Sequence, residues 1–507
     1  MTTTIAPNRA VRPTRWPSPR RVGDFLYQSG FWIPVIFLVF MFAQDPFSTA
    51  GDYDYDEGIN LMKTLLHTQN YRLYDDIWSD QPPFFTVLLA GWFTLVGQST
   101  IAARSLVALF SALLLWSFYL SVHNAVRPFA AVGATLLLVL SQFYLRLSGA
   151  VMIGLPSLSL AMIAIACLVN AKERRWLVAL SAFFMALALE TKLFVAVLLP
   201  AIALYLLVTT PSAFSWVRRL RGLLLWLGGV TLVFMSLSIY FGALDVNMLL
   251  TTHFGAQTQQ QAAFAGSGQE FLVTFFQQHL VYLLIAMIGV LYAIWQRKWL
   301  CLLPLVWFVT VALAFMVHRP LWYHHIMLLT IPMTWLCAFS LEAWGKALAD
   351  LAGQPMRRRL FQGVLLAGTA VGVITAILYY PTPLQDRLAE QAEIYRPLYI
   401  WEMVQQLQTD AQAQPGFVFT DRPFYAFQAG LPVTPPLAAI SRKRMESGIL
   451  THADMLAALT EYKPQYVILQ RFNDEEYSAE VMDEIRRHYE LVLEIPPGRY
   501  YRRIPGS

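Results

Sequence analysis

Pro83-Phe84-Phe85-Thr86-Val87-Leu88-Leu89-Ala90-Gly91-Trp92-Phe93-Thr94-Leu95-Val96-Gly97-Gln98 is the stretch whose reading decides how this chain is laid across a membrane. It is apolar, yet shorter than the roughly 20 residues that a spanning helix needs. If it stays at the outer surface, the basic segments after it share a side with the basic N-terminus (Arg9, Arg12, Arg15, Arg20, Arg21). Those segments are Arg127, Lys172-Glu173-Arg174-Arg175, Arg218-Arg219-Arg221, Gln296-Arg297-Lys298 and Arg357-Arg358-Arg359. If it crosses, every later basic loop flips outward, against the tendency of Lys and Arg to stay in the cytoplasm. The non-crossing reading is therefore adopted.

Apolar runs then give eleven spans, at about 30–46, 101–121, 129–146, 154–170, 176–190, 192–208, 222–243, 273–295, 299–317, 322–342 and 362–380. A further pair of short crossings would keep the same sidedness, so the fold class is a polytopic α-helical membrane protein of about 11–13 spans. The expected location is the plasma (inner) membrane, multi-pass, with a cytoplasmic N-terminus. Composition changes near Pro381-Thr382-Pro383. Residues 1–380 are read as a transmembrane domain with a first outer loop at 47–100. Residues 381–507 are read as a small outward-facing α/β domain. Its predicted helices are 395–409, 451–461 and 475–489, and its predicted strands 417–420, 466–470 and 490–495.

Composition narrows the function classes. The 507 residues are 57% hydrophobic and only 14% charged, against about 25% charged in ordinary soluble chains. The net charge of +5 comes from short basic loops, so nucleic acid is not an expected partner. The three cysteines, Cys167, Cys301 and Cys337, lie in apolar runs and form neither a CxxC motif nor a disulfide framework. The long basic N-terminus lacks a small-residue cleavage pattern and reads as a retained tail.

Charges of functional interest collect at the outer face. Asp52-Tyr53-Asp54-Tyr55-Asp56-Glu57-Gly58 opens the first outer loop, and Tyr74-Asp75-Asp76-Ile77-Trp78-Ser79-Asp80-Gln81-Pro82-Pro83 closes it. Six aspartates and one glutamate stand within the 29 residues 52–80. Asp56 and Glu57 are adjacent, so they point in different directions and at most one faces a given substrate atom. A carboxylate in a partly dehydrated cleft can act as a base. Asp52 and Asp54 read as solvating the loop. Arg146, Lys192 in Leu189-Glu190-Thr191-Lys192, and the segment His318-Arg319-Pro320-Leu321-Trp322-Tyr323-His324-His325 fall on the same face and could hold a phosphate. Each also has a bland reading: a solvated loop, a helix cap, an interfacial anchor or a snorkelling lysine. Two adjacent histidines are a poor metal site by spacing.

With these motifs in order, the chain resembles bacterial membrane glycosyltransferases of the protein O-mannosyltransferase-like superfamily, which includes the lipid A aminoarabinose transferases. The resemblance runs over about 30–380. It rests on Tyr55-Asp56-Glu57-Gly58, Asn70-Tyr71-Arg72-Leu73-Tyr74-Asp75-Asp76, Asp80-Gln81-Pro82-Pro83, Ala102-Ala103-Arg104-Ser105, Ala186-Leu187-Ala188-Leu189-Glu190-Thr191-Lys192, and Arg319 to Pro332 with Tyr323-His324-His325. It implies the C-type glycosyltransferase fold and a sugar donor on a polyprenyl phosphate. It implies Asp56 as catalytic base with Glu57 beside it, Lys192 near the donor phosphate, and inverting transfer to an acceptor hydroxyl. Gln81 stands where relatives often carry Lys, and Val151-Met152-Ile153-Gly154-Leu155-Pro156 lacks the acidic residue many relatives have there.

The expected function is transfer of a hexosyl or pentosyl group from a polyprenyl-phosphate donor to a protein, lipid or glycan at the outer face. Asp56 and Glu57 are the candidate catalytic residues. Lys192, Arg146, Asp80, Gln81, Tyr323, His324 and His325 are the candidate donor-phosphate or substrate ligands. A divalent metal is the one cofactor left open. The rival readings are a flippase for lipid-linked sugars and a non-catalytic binding subunit. A transporter would carry charges at mid-membrane depth or repeated halves, and the sequence shows neither.

Overall fold

The structure is a computed structural model that describes residues 30–43, 51–141, 143–171, 174–209, 216–243, 268–318, 321–351, 353–379 and 401–506. The basic N-terminus, Lys172-Glu173, Arg319-Pro320, residues 244–267 of the polar loop and residues 381–400 lie outside the described residues.

Apolar sequence becomes helix almost throughout residues 30–380. Helices run over Trp32–Ala43, Thr100–His123, Pro128–Val139, Gly154–Val169, Arg175–Thr191, Leu199–Thr209, Trp216–Tyr240, Leu280–Trp295, Leu302–Val317, Met327–Leu351 and Met356–Tyr379. Among the described residues five helices are long and apolar enough to cross a membrane. They become six when Gly268–Gln278 and Leu280–Trp295, which meet at 83°, count as one broken span. The bend falls at buried His279, whose Nδ1 lies 3.0 Å from the Phe275 carbonyl.

The predicted span 129–146 is also broken. Ser141 Oγ donates to the Leu138 carbonyl at 2.7 Å and satisfies a helix-end acceptor. A separate short helix, Tyr144–Gly149, follows and carries Arg146.

The deciding stretch forms a helix over Phe84–Val96. Its 13 residues extend about 20 Å at 1.5 Å per residue, well short of the ~30 Å hydrocarbon core. It lies against Thr100–His123 through a Trp92 Nε1–H bond to the Ala102 carbonyl of 2.8 Å. At the opposite end of the bundle, two of the basic loops meet on one carboxylate. Arg127 and Lys298 each approach Glu342 at 3.7 Å, and the Arg127 amide donates to it at 2.8 Å.

The stretch read as the first outer loop is not an irregular acidic run. Residues Tyr55–Thr68 form a helix, with Asp54 as N-cap. Glu57 turns into the core, where it is fully buried and paired with equally buried Arg104 at 2.8 Å. Its oxygens also accept the amides of Tyr53 (2.8 Å) and Val151 (3.3 Å). Arg104 lies over the Tyr53 ring at 4.1 Å and donates to the Gly51 carbonyl. One ion pair thus joins the start of the loop, the acidic helix, the span Thr100–His123 and the turn after Arg146.

Residues 401–506 carry a four-stranded sheet in the order β1-β2-β4-β3, where β1 is Val418–Thr420, β2 Tyr466–Leu469, β3 Tyr489–Ile495 and β4 Gly498–Arg503. The β1/β2 pair is parallel and the other pairs antiparallel. The sequence reading missed β4 because Gly-Arg-Tyr-Tyr-Arg-Arg looks like a solvated basic tail. Its charges are paired instead: Arg502 with Glu490 at 2.7 Å and Arg499 with Asp474 at 2.5 Å.

This region does not stand apart from the membrane part. Arg422 grips Asp52 with two bonds, of 2.9 and 2.6 Å, and Gln428 Nε2 donates to Thr100 Oγ1 at 2.8 Å. Tyr55 OH donates to the Ile440 carbonyl, and Arg471 lies 3.5 Å over the Tyr55 ring. Asp421 supports the clamp from beneath. Its buried carboxylate accepts the amides of Gln470, Arg471 and Phe472 and the Tyr477 hydroxyl, which fixes the turn that presents Arg471.

Gly58 shows how closely the two parts meet, since a Cβ there would stand 2.7 Å from the Phe424 backbone nitrogen. Gly58→Ala is therefore expected to cost about 1–3 kcal/mol and to loosen the C-terminal region. Limited proteolysis should show faster cleavage of residues 401–506 than in the wild type.

Candidate active site

The site is built on the first turn of the acidic helix. Asp54 Oδ1 accepts the Asp56 amide at 2.9 Å, and its Oδ2 accepts the Tyr323 hydroxyl at 2.8 Å. Asp52 and Asp54, expected only to solvate the loop, are thus structural: the first is clamped by Arg422 and the second caps a helix and holds a tyrosine. The residue between cap and core, Asp56, keeps its side chain exposed, in a recess crowded by protein. Burial of the surrounding volume and the charges of Asp54 and Asp80 outweigh the cations Lys192 and Lys63, and its carboxyl is pushed up to about 6.

Glu57 lies about 100° further round the same helix and faces Arg104 rather than the recess. The two adjacent carboxylates therefore occupy opposite environments.

Three cationic or aromatic elements converge on this turn. Arg146 donates to the Tyr53 carbonyl at 2.8 Å and stacks over the Tyr323 ring at 4.8 Å, so it supports the Tyr323–Asp54 bond from behind. Lys192 follows the helix Arg175–Thr191 in extended conformation. Its ammonium stands 3.9 Å from the position a Cβ on Gly154 would take, beside the first residue of the helix Gly154–Val169. A helix N-terminus and an ammonium side by side favour an anion.

The histidines sit next to this group. His325 is buried against Phe194 and accepts the Trp322 amide at Nδ1 (3.0 Å), so any proton on the neutral ring is assigned to Nε2. His324 packs on it at 4.4 Å between centroids, and its Nδ1 has no hydrogen-bond partner among the described residues. Both rings lie within the field of Lys192.

The second acidic cluster forms the other wall. Gln81 shapes the turn through its backbone, its carbonyl accepting Tyr74 OH at 2.9 Å and Ser79 Oγ at 3.1 Å. Asp80 is half-buried and faces Asp56 and Lys63. From the C-terminal region, buried Arg444 stacks over Trp78 at 4.4 Å and faces Asp80.

Lys63 was missed by the sequence reading. It is 4% exposed and donates to Ser79 Oγ at 3.4 Å. The available signal was a lysine seven residues after Asp56, on the same helix face, within the apolar Leu61–Leu66 run. Among the described residues, no group of three or more His, Cys, Asp or Glu is placed to share a metal ion.

The chain's arrangement has known counterparts. A family model described as dolichyl-phosphate-mannose-protein mannosyltransferase matches residues 80–241. The ArnT of Cupriavidus metallidurans, solved bound to undecaprenyl phosphate, shares the fold at a TM-score of 0.63 and 14% identity, over 97% of this chain and 99% of that one. The chain has the fold of the C-type membrane glycosyltransferases.

The oligosaccharyltransferase of Archaeoglobus fulgidus in its apo form also shares the fold, at a TM-score of 0.56 and 12% identity, over 96% of this chain and 75% of that one. No curated protein matches the chain by sequence. The matched stretch 80–241 contains Asp80, Gln81, Arg146 and Lys192, whereas Asp56 and Tyr323 lie outside it and are tied to it by the contacts above.

Proposed function

We propose that this protein transfers a hexosyl or pentosyl group from a polyprenyl-phosphate donor to the hydroxyl of a protein, lipid or glycan acceptor, at the face of the membrane that carries the acidic helix. The observation that carries the reading is the pairing, in one recess, of an accessible carboxylate of raised pKa with an ammonium at a helix N-terminus: Asp56 and Lys192. The first is a base matched to near-neutral pH, and the second a seat for a phosphate.

In the proposed reaction the acceptor oxygen attacks the anomeric carbon, and Asp56 takes the hydroxyl proton. The bond from that carbon to the phosphate oxygen breaks with inversion, and the lipid phosphate leaves with the bonding pair. Lys192 stabilises the charge on the departing phosphate. Tyr323 and Arg146 hold Asp54, and through it the start of the helix, while Glu57 fixes the helix to the core.

The site would face the periplasm or cell exterior of a plasma (inner) membrane, with the N-terminus in the cytoplasm. Residues 401–506 reach the second acidic cluster through Arg444 stacked over Trp78, which suits contact with the acceptor.

Lys192→Ala is the direct test of the phosphate seat. Its expected effect is about a tenfold or greater rise in the donor concentration needed for half-maximal rate, because removing a charged hydrogen-bond partner costs roughly 1.5–3 kcal/mol. Transfer from polyprenyl-phosphate sugars extracted from the native envelope measures it. An unchanged requirement would leave Lys192 as a helix-end anchor only.

A further inference from the structure

Lys63 is a buried charge that the mechanism above does not use. It follows Asp56 by seven residues in the helix Tyr55–Thr68, close to two full turns, so both fall on one stripe. Among the described residues its one hydrogen-bond partner is Ser79, at 3.4 Å, which leaves most of the ammonium's donor capacity unused. Such a group is costly to bury unless opposite charges face it, and the carboxylates that do so are Asp80 and Asp56.

The strongest charges facing Asp56 are in turn the anions Asp54 and Asp80 and the cations Lys192 and Lys63. The phenols of Tyr55 and Tyr323 also lie within its field. The balance changes when donor binds. A phosphate seated on Lys192 cancels that cation and brings its own negative charge close to Asp56. Lys63, covered by Ser79, still faces Asp56.

We propose that Lys63 is a positioning residue that keeps Asp56 ionised, and so able to accept a proton, while the donor phosphate occupies Lys192. The inference rests on the base role of Asp56 stated above. It separates two cations that look alike in sequence: Lys192 seats the phosphate, and Lys63 compensates for it. Burial draws the Lys63 ammonium below its ordinary range, and Asp80 and then Asp56 oppose that shift and favour its charged form.

The test is the pH dependence of transfer by the full chain in lipid nanodiscs, with polyprenyl-phosphate sugars extracted from the native envelope as donor and release of polyprenyl phosphate as readout. The wild type should lose rate below about pH 6. In Lys63→Met the acid limb measured at saturating donor should move up by about one pH unit, the low end of the shift a nearby opposite charge produces. On the acid side that is a roughly tenfold loss of rate. The limb at limiting donor, which reports the free protein, should move less. Lys63→Arg should restore the wild-type profile.

If Lys63→Met does not fold, Lys63→Gln, which can still bond Ser79, makes the same comparison. A folded charge-removing variant whose acid limb stays in place would overturn the proposal. A wild type without the limb, or full turnover in Asp56→Asn, would remove the base itself and is thereby distinguishable from a failure of Lys63 alone.

Discussion

Asp56→Asn is expected to lower sugar transfer by about 10²–10⁴-fold, the contribution of a positioned general base, in a protein that folds and inserts as the wild type does. The substitution keeps the shape of the side chain and the amide bond to Asp54 Oδ1, which uses only the Asp56 backbone. It removes a recess carboxyl that is pushed up to about 6.

The sign of the pH effect follows from that value. A carboxyl raised in the folded state is easier to protonate there than in the unfolded chain, so ionising it above about pH 6 disfavours the fold slightly. Asn carries no such penalty, and the variant should be at least as stable as the wild type at neutral pH. For activity the direction is opposite: the base works only when ionised, so the wild-type rate should climb through pH 6 and level off above it. Loss of turnover with stability retained is the combination that assigns a chemical role. Mass spectrometry of the product together with thermal unfolding in the same preparation checks it.

Arg104→Met should do the reverse, with its main effect on the fold. It leaves Glu57 as an uncompensated charge with no exposed surface, and breaking a buried pair from one side costs about 3–5 kcal/mol. The damage would reach beyond the two residues, because Glu57 also holds the Tyr53 and Val151 amides and Arg104 also holds the Gly51 carbonyl. The double variant Glu57→Gln with Arg104→Met should recover part of the loss, since it no longer buries a lone charge. Thermal unfolding of the four proteins in detergent gives the coupling directly. If Arg104→Met were as stable as the wild type, the ion pair would not anchor the acidic helix. If Glu57→Gln lost turnover at full stability, Glu57 would join the chemistry itself.

The apolar, helical character of residues 30–380 was legible because membrane helices announce themselves by apolarity; eleven spans were expected, and among the described residues five helices, or six with the bent pair, are long and apolar enough to cross. Arg127 and Lys298, grouped by sign alone, do meet at one end on Glu342. The short apolar stretch was legible as a separate element, and it forms the helix Phe84–Val96. The partners of the acidic run were not legible. Asp52 finds Arg422 some 370 residues away, and Asp54 finds Tyr323 269 residues away. No local pattern encodes such pairs, so both aspartates looked like solvated loop.

Glu57 shows the same limit. Sequence spacing indicated that it and Asp56 diverge, but not that Arg104 waits on the far side. Lys63 was hidden by its setting, since a lysine among leucines reads as a snorkelling stem until Ser79 and Asp80 are seen above it. Strand β4 was hidden because its arginines find their partners outside the strand, Arg502 on β3 at Glu490 and Arg499 at Asp474 in a preceding turn.

The most direct test of sugar transfer by Asp56 is mass spectrometry of envelope glycans, lipids and proteins from cells lacking this protein, complemented with either the wild type or Asp56→Asn at matched membrane abundance. The expected result is a hexose or pentose mass increment on one acceptor class that returns with the wild type and stays absent with Asp56→Asn. Restoration of the same increment by Asp56→Asn would contradict Asp56 as the base, and an envelope unchanged by loss of the protein would contradict transfer itself.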